Sequence, residues 1–86
     1  MSDKLVNSIE ELKSICINNG DEYVDCYILL QGLFRSSKRI LFDPRENAFS
    51  VHNEIDDSYQ DDLTEEQLKT DTMIIEAIEK KALFLY

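Results

Sequence analysis

The sequence predicts a small α+β domain, an antiparallel sheet of three or four strands with its helices packed on one face. Three observations support this prediction: an amphipathic helical pattern opens the chain, three short strand-like runs follow, and a second helical region leads into an apolar tail. Consecutive strands joined by short turns pair antiparallel, and helices at both ends of such a sheet can cover one face. The predicted order is α-β-β-β-α, with a final β if the tail pairs, in a single domain over residues 1–86.

The first helix is predicted over residues 3–18. Its start can be capped by Ser2 or Asp3, and Gly20 favours its end because glycine tolerates the left-handed conformation that closes a helix. Apolar side chains recur at helical spacing along one face. These positions are Leu5, Ile9, Leu12 and Ile15 or Cys16.

The first strand is predicted over residues 23–31, where aromatic and β-branched side chains alternate around Asp25. Alternate residues of a strand point to opposite faces. The set predicted to face the core is Val24, Cys26, Ile28 and Leu30. The set predicted to face away from it is Tyr23, Asp25, Tyr27 and Leu29.

Two further strands, residues 38–43 and 48–53, are predicted to form a hairpin. The turn between them contains Pro44, which presets the first central position, and Asn47, which tolerates a left-handed one. Residues 54–62 interrupt the strand pattern and are predicted to be a loop.

A second helical region starts at a capping box formed by Thr64 and Gln67. The polar cluster at 70–72 predicts a break in this region, with a fresh cap at Asp71. The tail, residues 82–86, is apolar to its last residue, so we expect it to dock as a short strand on a sheet edge.

The composition is that of a globular acidic protein. Apolar residues make up 43% of the 86 residues, and 18 acidic residues outnumber 9 basic ones, for a net charge of −9. Such a charge repels nucleic acids and anionic membranes and favours a basic protein partner. Cys16 and Cys26 are too few for a disulfide framework or a zinc site. They are expected to be buried free thiols in a cytoplasmic protein. We expect neither a signal peptide nor a membrane-spanning segment, because the apolar runs of the sequence are too short for either.

The acidic segment, residues 54–71, is the most distinctive feature of the sequence. Its carboxylates are Glu54, Asp56, Asp57, Asp61, Asp62, Glu65, Glu66 and Asp71. Three interpretations remain open. The segment can be a solvated loop that runs into a well-capped helix, a recognition surface for a basic partner, or a Ca²⁺ or Mg²⁺ site, although it lacks the glycine and the ligand alternation of an EF-hand.

A basic stretch, residues 34–39, runs into the first strand of the predicted hairpin. Its cations, Arg35, Lys38 and Arg39, are expected to form an exposed rim that pairs with the acidic excess, because one glycine does not make a phosphate-binding loop. The only histidine, His52, has no spacing that indicates a relay with a cysteine or serine. The ring of Tyr59 either fills the core, the reading we favour, or serves as an exposed anchor.

The sequence therefore predicts a non-enzymatic interaction or inhibitor-type module, monomeric or homodimeric, that engages a basic protein and needs no cofactor or metal. The predicted binding residues are Asp56, Asp57, Tyr59, Asp61, Asp62, Glu65 and Glu66. The alternative is a domain that binds a small ligand or a divalent cation. In size and acidity the chain resembles short accessory proteins of bacteria and their mobile elements, some of which inhibit nucleic-acid enzymes by mimicking a polyanion.

Overall fold

The computed structural model describes residues 4–86, which form one six-stranded antiparallel sheet and three short helices. The strands are β1 (Lys4–Leu5), β2 (Val24–Leu30), β3 (Leu33–Asp43), β4 (Ala48–Asn53), β5 (Ser58–Leu63) and β6 (Leu83–Leu85). The helices are α1 (Ile9–Asn18), α2 (Glu65–Gln67) and α3 (Ile74–Glu79), with a π-helical turn (Leu68–Thr72) between α2 and α3. The sheet order is β1-β6-β2-β3-β4-β5. The α+β prediction is confirmed, but the sheet has six strands, not the three or four predicted.

The C-terminal tail forms a strand, as predicted, but not on an edge. β6 lies between β1 and β2 and pairs antiparallel with both. Backbone bonds extend the pairing beyond the strand: the amide of Val6 donates to Leu83 (2.8 Å) and the amide of Leu29 donates to Ala82 (2.8 Å). The apolar tail is therefore an interior strand of the sheet, with Leu83 fully buried.

The first helix is shorter than predicted. Leu5 was expected on its apolar face but lies in β1, where it pairs with Phe84. The predicted caps at residues 2 and 3 lie outside the described residues. The helix starts at Ile9 and is capped by Ser8, whose Oγ accepts a hydrogen bond from the amide of Glu11 (3.1 Å). The pairing partner for β1 comes from the other end of the chain, so the helical spacing of Leu5 is misleading.

The central hairpin is confirmed, with β4 over the predicted residues and Asn47 in the left-handed region (φ 53°). β3 is longer than predicted, because it begins at Leu33 rather than at Lys38. Its first part pairs with β2 across a bulge: Ile28 lies opposite Ser36 and Leu29 opposite Phe34, so Arg35 is the extra residue.

The segment predicted to be a loop contains a strand. Residues 54–57 make a tight turn, and β5 then pairs with β4, with Tyr59 opposite His52 and Leu63 opposite Phe49. The polar composition of β5 suits a sheet edge, where half of the backbone and many side chains meet water. The strand stays in place through its cross-strand neighbours rather than through its own apolar content.

The second helical region begins at the predicted capping box, in which the amide of Thr64 donates to Gln67 Oε1 (2.8 Å) and Thr64 Oγ1 accepts from the amide of Gln67. The break is also confirmed, but the fresh cap at Asp71 is wrong. α3 starts after Met73, which has a left-handed backbone (φ 64°) and makes no side-chain cap bond. None of the helices within residues 4–86 combines the length and apolar character needed to cross a membrane.

A single core lies between the helices and one face of the sheet, which we call the helical face. Strand residues that point to this face include the predicted set on β2, with Cys26 and Ile28 buried and Val24 and Leu30 packed at its margin. The helices and the π-helical turn contribute Leu12, Cys16, Leu68, Ile74, Ala77 and Ile78. Both cysteines are buried free thiols, as predicted.

Because β6 joins β1 to the rest of the sheet, loss of packing at Leu83 should be costly. Leu83→Ala is expected to lower the free energy of unfolding by about 2–5 kcal/mol, the usual cost of emptying a buried leucine site. Leu33→Ala is the matched control, since Leu33 is 56% exposed and its truncation should change stability by less than about 0.5 kcal/mol. Urea denaturation followed by circular dichroism measures both; equal effects would contradict the central role of β6.

The two thiols should be unreactive in the folded protein. Burial raises the pKa of Cys16 to about 12 and raises the pKa of Cys26 as well. The nucleophilic thiolate is therefore scarce at neutral pH. Ellman's reagent should modify both cysteines promptly in denaturant and neither in the native protein; rapid modification of the native protein would contradict this assignment.

Candidate functional site

All four tyrosines of the chain lie on the side of the sheet opposite the helical face. No helix within residues 4–86 packs on this side, which we call the open face. Strand pairing places Tyr27 beside Phe84, and Tyr59 beside His52. The aromatic and charged side chains of the open face include Tyr23, Asp25, Tyr27, Arg39, His52, Tyr59, Asp61, Phe84 and Tyr86. Tyr23 and Tyr27 were predicted to point away from the core, but the concentration of rings here depends on the sheet order.

One aromatic group sits where β6 meets β2. The rings of Tyr27 and Phe84 stack with centroids 5.4 Å apart, and Tyr86 lies against Tyr27 at 4.9 Å. The hydroxyl of Tyr86 is 3.4 Å from Ser37 Oγ, which donates to Glu54 Oε1 (3.0 Å). These contacts fix half-exposed rings in place, so that little rotamer freedom remains to be lost on binding.

A second aromatic group sits at the β4–β5 end of the open face. The rings of His52 and Tyr59 stack in parallel, with centroids 4.0 Å apart and planes 1° apart. Nε2 of His52 lies 2.6 Å from Oδ1 of Asp57, whose left-handed backbone (φ 58°) turns the chain into β5. Tyr59 is 61% exposed, so the favoured interpretation that its ring fills the core is wrong. The ring is an exposed side chain in an ordered position.

Arg39 lies between these aromatic groups on the open face. Nε of Arg39 donates to Asp25 Oδ1 (2.8 Å), and its guanidinium lies 5.8 Å from the ring centroid of Tyr23. Repulsion from Asp61 contributes to the raised pKa of Tyr23, after burial as the larger cause. Arg39 is thus paired with the acidic excess as predicted, and the face around it remains acidic.

The predicted acidic binding residues do not share one surface. Asp57, Tyr59 and Asp61 belong to the open face or its rim. Asp56 lies toward the helical face, where Oδ1 accepts from the amide (3.1 Å) and Oγ (2.7 Å) of Ser58; these bonds lower the pKa of Asp56.

The remaining acidic residues of the prediction lie elsewhere. Asp62 has a left-handed backbone (φ 57°) and meets Glu46 of the β3–β4 turn, while Glu65 pairs with Lys13 of α1 (2.8 Å). Glu66 is exposed on α2. Acidic residues that are close in sequence therefore lie on several different surfaces, because side chains alternate along β5 and the chain turns into α2.

The predicted basic rim is likewise divided. Arg39 is on the open face, whereas Arg35 and Lys38 line a groove on the helical face. Lys38 is only 7% exposed, so it is not a rim residue; Nζ donates to Asn53 Oδ1, and burial lowers the pKa of Lys38. The alternation of Lys38 with Ile40 and Phe42 along β3 was the available sequence signal for this burial.

β5 forms one edge of the sheet, and within residues 4–86 no strand pairs with its outer side. The segment from Glu54 to Glu66, which includes β5, contains no lysine or arginine. An exposed edge offers unpaired backbone groups to another strand, and charged side chains limit which strand can approach. The β5 edge therefore combines backbone groups that can pair with another strand and charged side chains that are all negative.

Within the described residues, no group of three or more His, Cys, Asp or Glu side chains is arranged to hold a metal ion. His52 contacts Asp57 and Tyr59 rather than either cysteine. The most complete arrangements are thus a tyrosine-bearing acidic face and, on the other side of the sheet, a groove that contains a buried lysine.

The density of charge beside β5 predicts a measurable pH effect. A hydrogen bond and repulsion from Asp62 raise the pKa of Glu46, so the ionised carboxylate disfavours the folded state. Stability contributed by the protonated form is lost as the pH rises through this raised pKa. Glu46→Gln is therefore expected to raise the melting temperature near neutral pH, with the gain disappearing at acidic pH.

Glu10→Gln is the control for this experiment. Glu10 lies in the first turn of α1, where a negative charge complements the helix dipole, so its neutralisation should not stabilise the protein. Differential scanning calorimetry of both variants between acidic and neutral pH measures the effect. A stabilisation by Glu46→Gln that is the same at every pH would contradict the proposed repulsion.

Comparison of this chain with protein-family models, with curated proteins and with solved structures finds no match. The chemistry of the two sheet faces and of the β5 edge is therefore the basis on which a function is assigned.

Proposed function

We propose that the protein is a non-enzymatic interaction module that binds an extended basic segment of another protein at the β5 edge. The observation that carries this proposal is the position of Tyr59, exposed and stacked on His52, on a free edge strand whose charges are all negative. In this arrangement a partner strand gains backbone hydrogen bonds from β5 and places alternate side chains over the open face.

Charge selects the partner. Asp57 and Asp61 flank Tyr59, so lysine or arginine side chains that alternate along an added strand would meet carboxylates and a tyrosine ring. A cation over a tyrosine face is itself favourable. A second copy of this chain would place the same acidic edge against itself, and like charges brought together across an interface are strongly disfavoured.

The order of the site supports binding rather than mere solvation. Tyr59 is held by ring stacking, and His52 is held in turn by Asp57 at 2.6 Å. An aromatic ring that is already fixed loses little conformational entropy when a partner covers it. Tyrosines in such positions are frequent hot spots of protein interfaces.

The test uses a synthetic peptide of alternating lysine and valine, with a glutamate–valine peptide as its counterpart. Nuclear magnetic resonance titration of ¹⁵N-labelled protein should show shifts at the amides of residues 57–61 with the lysine peptide only. Affinity should fall steeply as salt is raised, because exposed charges are screened. Shifts confined to the helical side of the molecule would contradict the proposal.

Charge-matched variants separate a specific site from general attraction to an acidic protein. Asp57→Asn with Asp61→Asn, and separately Tyr59→Ala, should each weaken binding about tenfold, as expected for a hot spot worth more than 1 kcal/mol. Glu10→Gln with Glu79→Gln removes the same two charges from exposed helical positions and should have little effect. Equal weakening by both double variants would show non-specific attraction and overturn the proposal.

A further inference from the structure

A groove of about 630 Å³ opens on the helical face, between α3 and the ends of the central strands. This volume lies in the range of sites for small molecules. Its apolar walls are Ile28, Leu30, Ile55, Met73, Ala77 and Ala82. It lies across the sheet from the open face, so it is separate from the surface proposed to bind a basic segment.

A chain of polar side chains crosses the groove. Lys38 donates to Asn53 Oδ1, Asn53 Nδ2 donates to Ser58 Oγ (3.2 Å), and Ser58 Oγ donates to Asp56 Oδ1 (2.7 Å). These residues come from β3, β4, β5 and the β4–β5 turn, all held by the strand register. The ammonium group of Lys38 is therefore fixed in position by a network rather than left on a flexible stem.

Two cations of the groove make no direct ion pair among the described residues. Within residues 4–86, neither Lys38 nor Arg35 has an acidic oxygen at ion-pair distance. An ammonium group has three hydrogen-bond donors, and Lys38 uses one of them on the neutral Asn53. Asp56 attracts Lys38 only from beyond ion-pair distance. An anion in direct contact with the ammonium group would therefore stabilise the buried charge further.

The acidic side chains of the groove are already engaged. Asp56 accepts from Ser58, Glu76 pairs with Lys80 at 2.8 Å, and Asp71 accepts from Thr70 at 3.3 Å. Three lysines or arginines and three carboxylates line the groove, which makes it formally neutral in a chain of net charge −9. The groove can therefore accept a ligand with one negative charge, although the protein as a whole is acidic.

We propose that this groove binds a small aliphatic monocarboxylate, with its carboxylate on Lys38, its approach guided by Arg35, and its chain against Ile28, Leu30 and Met73. A carboxylate accepts charge-assisted hydrogen bonds from an ammonium group, and these are stronger than bonds between neutral groups. The apolar walls of the groove then remove the aliphatic chain of the ligand from water. A doubly charged phosphate fits less well, because three carboxylates line the groove.

Gln60 gives a second, independent sign of an incomplete site. It lines the groove, and its Oε1 is buried without a hydrogen-bond partner among the described residues. Buried polar atoms in native proteins are nearly always satisfied. A carboxylate has no donor of its own, so a water molecule carried in with the ligand would supply the missing donor.

The test is a ¹⁵N resonance titration with sodium hexanoate, compared with hexanamide and inorganic phosphate. Hexanoate should give saturable shifts at Ser36, Lys38, Asn53 and Gln60. Hexanamide has the same chain without the charge and should bind about tenfold more weakly, the loss expected when a charge-assisted bond becomes a neutral one. Hexanamide binding as tight as hexanoate, tighter binding of phosphate, or the absence of saturable shifts with millimolar hexanoate would each overturn the proposal.

Variants test the assigned role of Lys38. Lys38→Met keeps the length of the side chain and should weaken hexanoate binding about tenfold or more, while Lys4→Met on β1 removes the same charge outside the groove and should not. If Lys38→Met fails to fold, Arg35→Gln is the second variant, since Arg35 is exposed; it should weaken binding about threefold by removing the guiding charge. Unchanged affinity in the folded variant that is tested would contradict the proposal.

A further readout reports on the ammonium group itself. Burial lowers the pKa of Lys38 in the free protein, and a bound carboxylate would raise it again by favouring the charged form. Direct titration of the ¹⁵N- or ¹³C-labelled lysine with and without hexanoate measures this change. A merely structural lysine would keep the same pKa in both titrations, and that result would overturn the assignment.

Discussion

The insertion of the C-terminal strand into the interior of the sheet is the constraint on which the rest of the structure depends. β6 is only three residues long, yet it pairs with β1 on one side and with β2 on the other. Its closure requires residues 4–5 and 83–85 to meet, which is a contact between the two ends of the described chain. Once it is formed, Tyr86 and Phe84 lie on the open face and Leu83 lies in the core.

The pleat of the strands then determines which side chains can act together. Because successive residues alternate between faces, Lys38 and Arg39 are neighbours in sequence but serve opposite sides of the sheet. The bulge opposite Ile28 and Leu29 makes Arg35 an extra residue in β3. Arg35 lines the same groove as Lys38. Three cations that are close in sequence are thus divided between the faces. Arg39 is paired on the open face, whereas Lys38 and Arg35 make no direct ion pair within residues 4–86.

Local signals in the sequence account for the parts of the fold that local interactions stabilise. The central hairpin, the capping box at Thr64 and the core-facing set on β2 follow from turn chemistry, capping and alternation, and all are present. β1 and β5 were missed because their stability comes from distant partners. Two residues carry no pattern for β1, and the carboxylates of β5 are typical of a loop when its stacking on β4 is unknown.

The candidate sites show the same division. Alternation alone placed Tyr23 and Tyr27 away from the core, and it could have placed Lys38 toward it. The meeting of Tyr59 with His52, or of Lys38 with Asn53 and Ser58, requires the register between strands, which short-range patterns do not specify. Predicting the acidic residues as one surface failed for this reason: it treated proximity in sequence as proximity in space.

The two proposed sites share β5, so binding at one of them can be coupled energetically to binding at the other. Tyr59 and Asp61 point to the open face, whereas Ser58 and Gln60 point to the groove, so a single short strand supplies side chains to both. Energetic coupling between two sites needs an element with two arrangements that both ligands bias. An edge strand held by one neighbour is easier to displace than an interior strand held by two. Lys38 and Arg39, by contrast, lie on β3, which is paired on both sides. Any coupling between a basic segment at the edge and a carboxylate in the groove should therefore pass through a shift of β5 against β4. Asn53 and Ser58 lie where these two strands and the polar network meet, so their resonances would report such a shift.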